Sequence, residues 1–490
     1  MTNKPLDEIF ATLVEQSHAM VSIDILQMLY RYANLAAKNG EGTIVEIGAY
    51  RGASTIALAL GIKDAGHGKV ISIDPHQHYI DILRGHFSPE DHQIYLKNLE
   101  RFGVAAYVTH LCIDSTTAAI DWTASIDLLW IDGDPSYSGV TKDIQSWTPF
   151  IHDRGLVIFN NHTQGSDVEA AAGEHLPFSR FCLLERVESA IVFSKQEQPR
   201  KLYLCGGMQS SGSTLVSWCF LQRQDIDGVS DMHNTIIHQD FSRISSKNVW
   251  VKMTIGAFRL SEVADFYRAQ GWDVIPMLVQ RELSAVIPSL NRLRVDGPTA
   301  EDPPFFIRIQ RYLSDHEIAI KNRWPILIYE NLISDPISEL KRVCNLLNLD
   351  WDDYMVTWPK NEESIAYPAL GSYSFHETRK NSTSLINTLS NYLKKNSASK
   401  ESKILYDPLT NVLLKTFEQK PITASASDSK IPLLPPVAFR GTRRQIMEKE
   451  ITNLNQLKNE FYRIYKHIVF GPLLKFWRRF INHSFPSLDQ

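Results

Sequence analysis

Cysteine is scarce in this chain of 490 residues: Cys112, Cys182, Cys205, Cys219 and Cys344 are five, an odd number, with no C-x-x-C pair. That argues against a disulfide framework and for buried free thiols in a reducing compartment. Long apolar runs are missing too. No window reaches the roughly 18 uninterrupted apolar residues of a spanning helix. The amino end, "MTNKPLDEIFATLVEQ", has no basic region followed by a long apolar core, so no secretory signal is read there and cytoplasm is the expected compartment. Neither sign of charge dominates: 51 Lys and Arg stand against 55 Asp and Glu, a net charge of −4. Such a balance gives no global pull toward nucleic acid or membrane, and no nucleic-acid partner is expected. Internal repeats are absent as well.

What is present is the ordinary material of globular domains, 43% hydrophobic and 22% charged. Single cores stop growing near ~250–300 residues, so two or three domains are expected. Up to residue 197, short apolar runs alternate with helical patterns, as in a mostly parallel α/β sheet. "TIVEIG", "KVISID", "IDLLWID" and "GLVIFN" read as strands, and "FCLLERV" and "SAIVFSK" as a closing hairpin around Glu188. "KQEQPRK" reads as a polar junction. A second α/β alternation begins at Leu202 and includes "NVWVKM", "WDVIPMLVQR" and "WPILIYENL". The expected division is a first domain over 1–197, a second over 200–395, a Ser-, Lys- and Pro-rich linker over 396–437 and a basic amphipathic helical tail over 438–490.

The stretch "VEIGAYRG" runs from a strand through Gly48 and Gly52 into a helix. Glycines let backbone approach a ligand, and a helix start offers unpaired N–H groups. The next strand ends in Asp74, an acid placed to accept ribose hydroxyls. A NAD-binding loop shares these features, but its pyrophosphate needs the tighter G-x-G-x-x-G turn that Ala49-Tyr50-Arg51 does not supply. Glu46 beside the glycines suits an ammonium or sulfonium ligand better.

Here the chain resembles class I S-adenosylmethionine-dependent methyltransferases, and among them small-molecule O-methyltransferases, through "VEIGAYRGAST", "SIDPH", "CIDS" and "WIDGDPSY" in order. The resemblance implies that Glu46, Gly48 and Gly52 line the methionine end, that Asp74 holds the ribose and that Asp114 lies beside the adenine. It implies that Asp132 sits near the reacting methyl, in some members as a metal ligand. Metal-dependent relatives carry an Asp-Asn pair after the next strand, where this chain has Asn160 and Asn161, so Asp132, Asn160 and Asn161 are the candidate Mg²⁺ ligands, one carboxylate short. The family's usual His after the second Asp is Pro135 here. A polar loop cap is the alternative reading of Asp132 and Asp134. A hydroxyl acceptor must lose its proton, and Asp132 and His162 are the candidate bases. His76 and His78 in "DPHQHY" are read as a solvated loop at the ribose edge, with a metal-binding pair as the alternative.

The stretch "KLYLCGGMQSSGSTLVSWCF" carries a second cradle. Gly207, four residues, then Gly212-Ser213-Thr214 fit the phosphate-loop spacing, except that Ser213 replaces lysine. A kinase or ATPase needs that cation, so triphosphate chemistry is disfavoured. Backbone N–H groups and the hydroxyls of Ser211, Ser213 and Thr214 still suit one terminal phosphate. Arg281 after a strand, with Ser289 following, resembles the 3′-phosphate site of sulfotransferases that use 3′-phosphoadenosine-5′-phosphosulfate (PAPS), and "WPILIYENLISDPISELKRVCNLLNLD" resembles a further segment of that family. The resemblance implies that Gly207, Ser211, Gly212, Ser213 and Thr214 hold the 5′-phosphate while Arg281 and Ser289 hold the 3′-phosphate. A surface helix start is the alternative for the last two. The family's cation before "SG" is Ser210 here, and its base is missing from Lys252-Met253-Thr254. Lys252 is left to stabilise departing phosphate, with His233 or His238 as candidate bases, though each also reads as a structural histidine.

The tail, ending "LLKFWRRF", is basic and helical in pattern; it fits helix packing or contact with an anionic membrane surface. The expected fold is α/β: a Rossmann-like methyltransferase sheet, a P-loop-like sulfotransferase-like domain and a helical tail. The expected function is a bifunctional transferase using S-adenosylmethionine and PAPS on hydroxyls of a glycan or small natural product. The alternative is a methyltransferase whose second domain is a degenerate sulfotransferase serving recognition or scaffolding.

Overall fold

The computed structural model describes residues 5–232, 237–282, 285–286, 305–361, 365 and 384–396. His233, Ser289, nearly all of the expected linker and the whole expected tail lie outside the described residues.

The first sheet uses β1 (Thr43–Ile47), β2 (Lys69–Ile73), β5 (Val108–Leu111), β6 (Ile126–Ile131), β7 (Ile151–Phe159), β8 (Phe181–Val187) and β9 (Ala190–Lys195); β3 (Tyr79–Ile80) and β4 (His86–Phe87) pair as a separate hairpin. The order is β5-β2-β1-β6-β7-β9-β8, parallel through β7, with β9 antiparallel to both its neighbours. This is a Rossmann-like α/β sheet with a mixed edge. Strand β6 is buried along its whole length because helices cover both faces, which is why it reads as an unbroken apolar run. One core joins Ile44, Leu128, Trp130 and Ile158 to α1 (Leu6–Ser17), α2 (Ile23–Asn39) and α3 (Ala53–Ala65). The opposite pleat turns Val45, Ile47 and Ile131 toward α6 (Tyr137–Trp147) and α7 (Asp167–His175).

The second sheet is fully parallel: β10 (Lys201–Gly207), β11 (Ile226–Val229), β12 (Asn248–Thr254), β13 (Asp273–Gln280) and β14 (Ile326–Ile328) in the order β11-β12-β10-β13-β14. The central β10 has a later strand on each side. The chain therefore switches direction across it, and its carboxyl end is the place where open α/β sheets bind ligands. Helix α8 (Ser213–Leu221) leaves from that end.

The stretch between the sheets is the polar junction its composition predicts, exposed at Glu197, Gln198 and Pro199, and it ends in a buried anchor. Arg200 is buried, and its guanidinium donates to the carbonyls of Phe178 (3.0 Å), Phe181 (2.9 Å), Ile244 (3.2 Å) and Ser246. Residues from both halves, among them Phe178, Leu176, Met232 and Phe241, share one apolar cluster. Among the described residues no helix is long and apolar enough to cross a membrane.

Candidate functional site

A cavity of 490 Å³ opens beyond the carboxyl ends of β1, β2, β6 and β7, within the range of sites for small organic ligands, roughly 300–1,000 Å³. Gly48 shapes its floor. Its φ is +86°, and a Cβ there would lie 2.2 Å from the Asp132 carbonyl oxygen, so only glycine fits. Its N–H donates to Ile73 (2.9 Å) while the N–H of Asp132 donates to Ile47 (2.9 Å), which stitches three strand ends together. Gly52, at φ +87°, starts α3.

Asp74 lies on the cavity wall. One carboxylate oxygen accepts the N–H groups of Ala49 (2.9 Å) and Tyr50 (2.8 Å), the other that of His76 (2.8 Å). It therefore fixes the glycine turn and keeps lone pairs for a ligand hydroxyl. Asp114 also reaches the wall; it caps α5 (Ser115–Ala119), and hydrogen bonds from Thr116, Thr117 and the Thr117 N–H hold its carboxyl down at about 2. Asp132, with Asn160 and Asn161 beside it on the wall, accepts a hydrogen bond from Asn160 Nδ2 at 2.9 Å. Burial pushes its carboxyl up to about 7 against that hydrogen bond.

Two expected residues are elsewhere. Glu46 is fully buried on the α3 side of the sheet, where it accepts a hydrogen bond from Thr55, and burial pushes it up to about 7. The pleat gives its place on the wall to Ile47. His162 is 1% exposed, behind the wall, its ring against Phe193 and its Nδ1 3.2 Å from Arg186. Burial and the arginine's charge push it down to about 4, and it does not line the cavity.

The expected Mg²⁺ set, Asp132, Asn160 and Asn161, comes together on the wall. The Asn160 amide nitrogen faces Asp132, and its oxygen accepts the Ser189 hydroxyl at 2.9 Å. That leaves the Asp132 carboxylate and the Asn161 amide of this set on the cavity wall, so water would have to supply most of an octahedral shell.

Residues not expected from the sequence complete the wall. Asp81, Asp134 and Asp143 join Asp74, Asp114 and Asp132, against only Arg51 and Lys142 of opposite sign. Asp143, with burial pushing it up to about 7, stands on the buried face of α6 beside Val140, Ile144 and Trp147. An acid at helical spacing among apolar residues was the signal in the sequence. The β3–β4 hairpin overhangs the mouth: Tyr79 donates to Asp134 at 2.9 Å, and Phe87 meets Tyr50 edge to face at 5.4 Å. His78 is exposed as expected, but His76 is buried against His92 and His110.

At the second cradle, Gly212 has φ +89° and faces Tyr329, whose ring would lie 2.2 Å from a Cβ there. Ser211 is 1% exposed with its hydroxyl turned in against Gly207, and Ser213 is buried; Thr214 is half-buried. Arg281 Nη1 donates to the Ser210 carbonyl at 2.7 Å, and its guanidinium lies 4.5 Å from the Tyr329 ring centre. Arg308, unforeseen, donates to Gln209 at 3.0 Å, so two guanidiniums reach a loop that lacks its lysine. Lys252 is buried, 2.7 Å from Asp231 and donating to Thr254 at 3.1 Å; its charge is matched within the fold rather than presented to a ligand. His238 packs on Phe266 at 6.4 Å, and burial lowers it.

A family model described as a methyltransferase domain matches residues 45–162. Similar solved structures include the O-methyltransferase NovP (16% identical, 37% of this chain and 83% of that one, TM-score 0.31). An O-methyltransferase from Bacillus cereus in complex with SAH is 17% identical over 40% of this chain and 93% of that one, with a TM-score of 0.30. TomG from Streptomyces achromogenes, an O-methyltransferase involved in tomaymycin synthesis and in complex with SAM, is 13% identical over 40% and 91%, with a TM-score of 0.29. No curated protein matches the chain.

Proposed function

We propose that residues 1–197 methylate a hydroxyl on a small acceptor with S-adenosylmethionine as donor. The observation that carries this reading is the acid-rich cavity with Asp74 on its wall beside the Gly48–Gly52 turn. Six carboxylic acids against two cations favour a ligand bearing a sulfonium and an ammonium over one bearing pyrophosphate. The match of residues 45–162 to a methyltransferase domain supports the same reading. Asp74 would accept the ribose hydroxyls and Asp114 would lie at the adenine. When bound, the sulfonium donor supplies an electrophilic methyl group. Asp132, held by Asn160 and with a carboxyl pushed up to about 7, is the group suited to take the acceptor's proton near neutral pH. Tyr79, Leu83, Phe87 and Met20 give the mouth an apolar rim, which suits a natural-product-like acceptor better than a glycan. Isothermal titration with S-adenosylhomocysteine tests the donor site: we expect binding that Asp74→Ala weakens about ten- to a hundredfold, the range for a lost charged hydrogen bond. No binding to the wild type would end this reading.

For residues 200–395 the reading is a sulfotransferase-like module acting as scaffold or recognition surface. The inward Ser211 and the Lys252–Asp231 pair support it. An active PAPS site is the second reading, favoured by Arg281 and Arg308 at the loop. Tight binding of 3′,5′-diphosphoadenosine would decide for the second.

A further inference from the structure

Three histidines from three separate elements meet behind Asp74. His76 follows β2, His92 stands on α4 (Glu90–Arg101) and His110 on β5. One ligand nitrogen from each lies within 4.8 Å of the others. The rings of His76 and His92 stack at 4.8 Å, and His110 closes the triangle at 5.0 Å and 5.1 Å from them. His76 is 6% exposed; its Nε2 and both ring nitrogens of His110 are enclosed without a hydrogen-bond partner. An enclosed polar atom without a partner is costly, and a cluster of them in one place calls for an explanation.

We propose that His76, His92 and His110 form a binding site for a divalent first-row transition ion, zinc above all, with water completing the coordination. Imidazole nitrogen suits zinc, and three such donors with a remaining open position are a known zinc arrangement. Tetrahedral bonds of about 2.0–2.1 Å set donors roughly 3.4 Å apart, so His76 and His92, now stacked at 16°, turn out of their stack to aim both nitrogens at one ion. His76 binds through Nε2, because its Nδ1 faces Asp74 Oδ1 at 3.8 Å. At 3.8 Å the two are not yet hydrogen-bonded, and the same turn of the ring that ligation requires could bring the carboxylate behind the imidazole, where it strengthens the donor. The same carboxylate holds the Ala49 and Tyr50 N–H groups, so the ion braces the cavity wall from behind and ties α4 and β5 to it. This site is separate from Asp132, Asn160 and Asn161 and does not depend on the methyl-transfer reading.

The test is metal retention by the full chain without an affinity tag. Protein is equilibrated with zinc chloride, passed through gel filtration and assayed for metal, with His92→Ala, His110→Ala and the exposed-surface control His67→Ala in parallel. We expect about one zinc per chain in the wild type and control, near-complete loss in the other two, and a zinc-dependent rise in unfolding temperature that follows the same pattern. Cobalt in place of zinc should show the intense visible bands of four-coordinate sites. His110 is half-buried in the sheet, and its variant counts only if circular dichroism shows it folded; His92, equally half-buried but on a helix, decides otherwise. Retention well below one ion, or equal retention by wild type and His92→Ala, overturns the proposal and leaves a cluster solvated by buried water.

Discussion

The two glycine cradles share a backbone and differ in what surrounds it. In each, a buried strand runs into a turn and a helix whose first cap is a glycine in the left-handed region, Gly52 at φ +87° and Gly212 at φ +89°. The first turn gives onto a cavity rimmed by carboxylates. The second is overlain by Tyr329, with Arg281 on its carbonyl and Arg308 on its side chain. The strand–turn–helix supplies N–H groups in both cases, and the neighbouring charges decide what those groups can hold. An acidic surround suits a cation, a pair of guanidiniums an anion.

The sharpest way to press the comparison is Asp132→Asn. On the proposed reading it should lower methyl transfer by about a hundredfold or more, the usual contribution of a positioned base. Because burial raises the Asp132 carboxyl to about 7, the base is protonated and idle below that pH and ionised above it. The wild-type rate should therefore climb with pH through about 7, and the variant's residual rate should lose that step. A pH profile of single-turnover methyl transfer, once an acceptor is in hand, checks both.

Next comes the effect of a methyl group on each turn. Gly48→Ala sets Cβ 2.2 Å from a backbone oxygen of β6's end, which cannot move without breaking the sheet, and Gly212→Ala sets it 2.2 Å from the buried Tyr329 ring, a side chain that shifts at less cost than backbone. Both also carry the strain of positive φ. We expect a loss of about 3 kcal/mol or more for the first and about 1–2 kcal/mol for the second, read by chemical denaturation. Equal losses would mean that Tyr329 is as rigidly held as the strand end.

The two cradles, and the strands that lead to them, were legible because each rests on local spacing: apolar runs of strand length, glycine at the turn, helix periodicity after it. What the sequence hid depends on which way a side chain points or on contacts between distant segments. Glu46 and Ile47 are neighbours, and the pleat alone decides that Ile47 meets the cavity and Glu46 the helix. Arg200 reads as a linker residue, since the carbonyls of Phe178 and Ile244 that surround it come together only in the folded chain. His76, His92 and His110 follow no recognised ligand spacing for the same reason.

The smallest expected effect comes from Arg281→Ala, and it separates the two readings of the second cradle. Folding loses a hydrogen bond to the Ser210 carbonyl and a guanidinium stacked on Tyr329, together worth on the order of 1 kcal/mol at a part-buried site. If this half is a scaffold, nothing else should change: S-adenosylhomocysteine should bind the variant as it binds the wild type, and 3′,5′-diphosphoadenosine should bind neither. If instead the arginine grips a 3′-phosphate, titration should show the diphosphate bound by the wild type and weakened in the variant by tenfold or more, a change that a small loss of stability in a still-folded chain does not produce. The guanidinium would then have to leave the carbonyl it now holds, and the two cradles would differ in the sign of the charge they bind rather than in whether they bind at all.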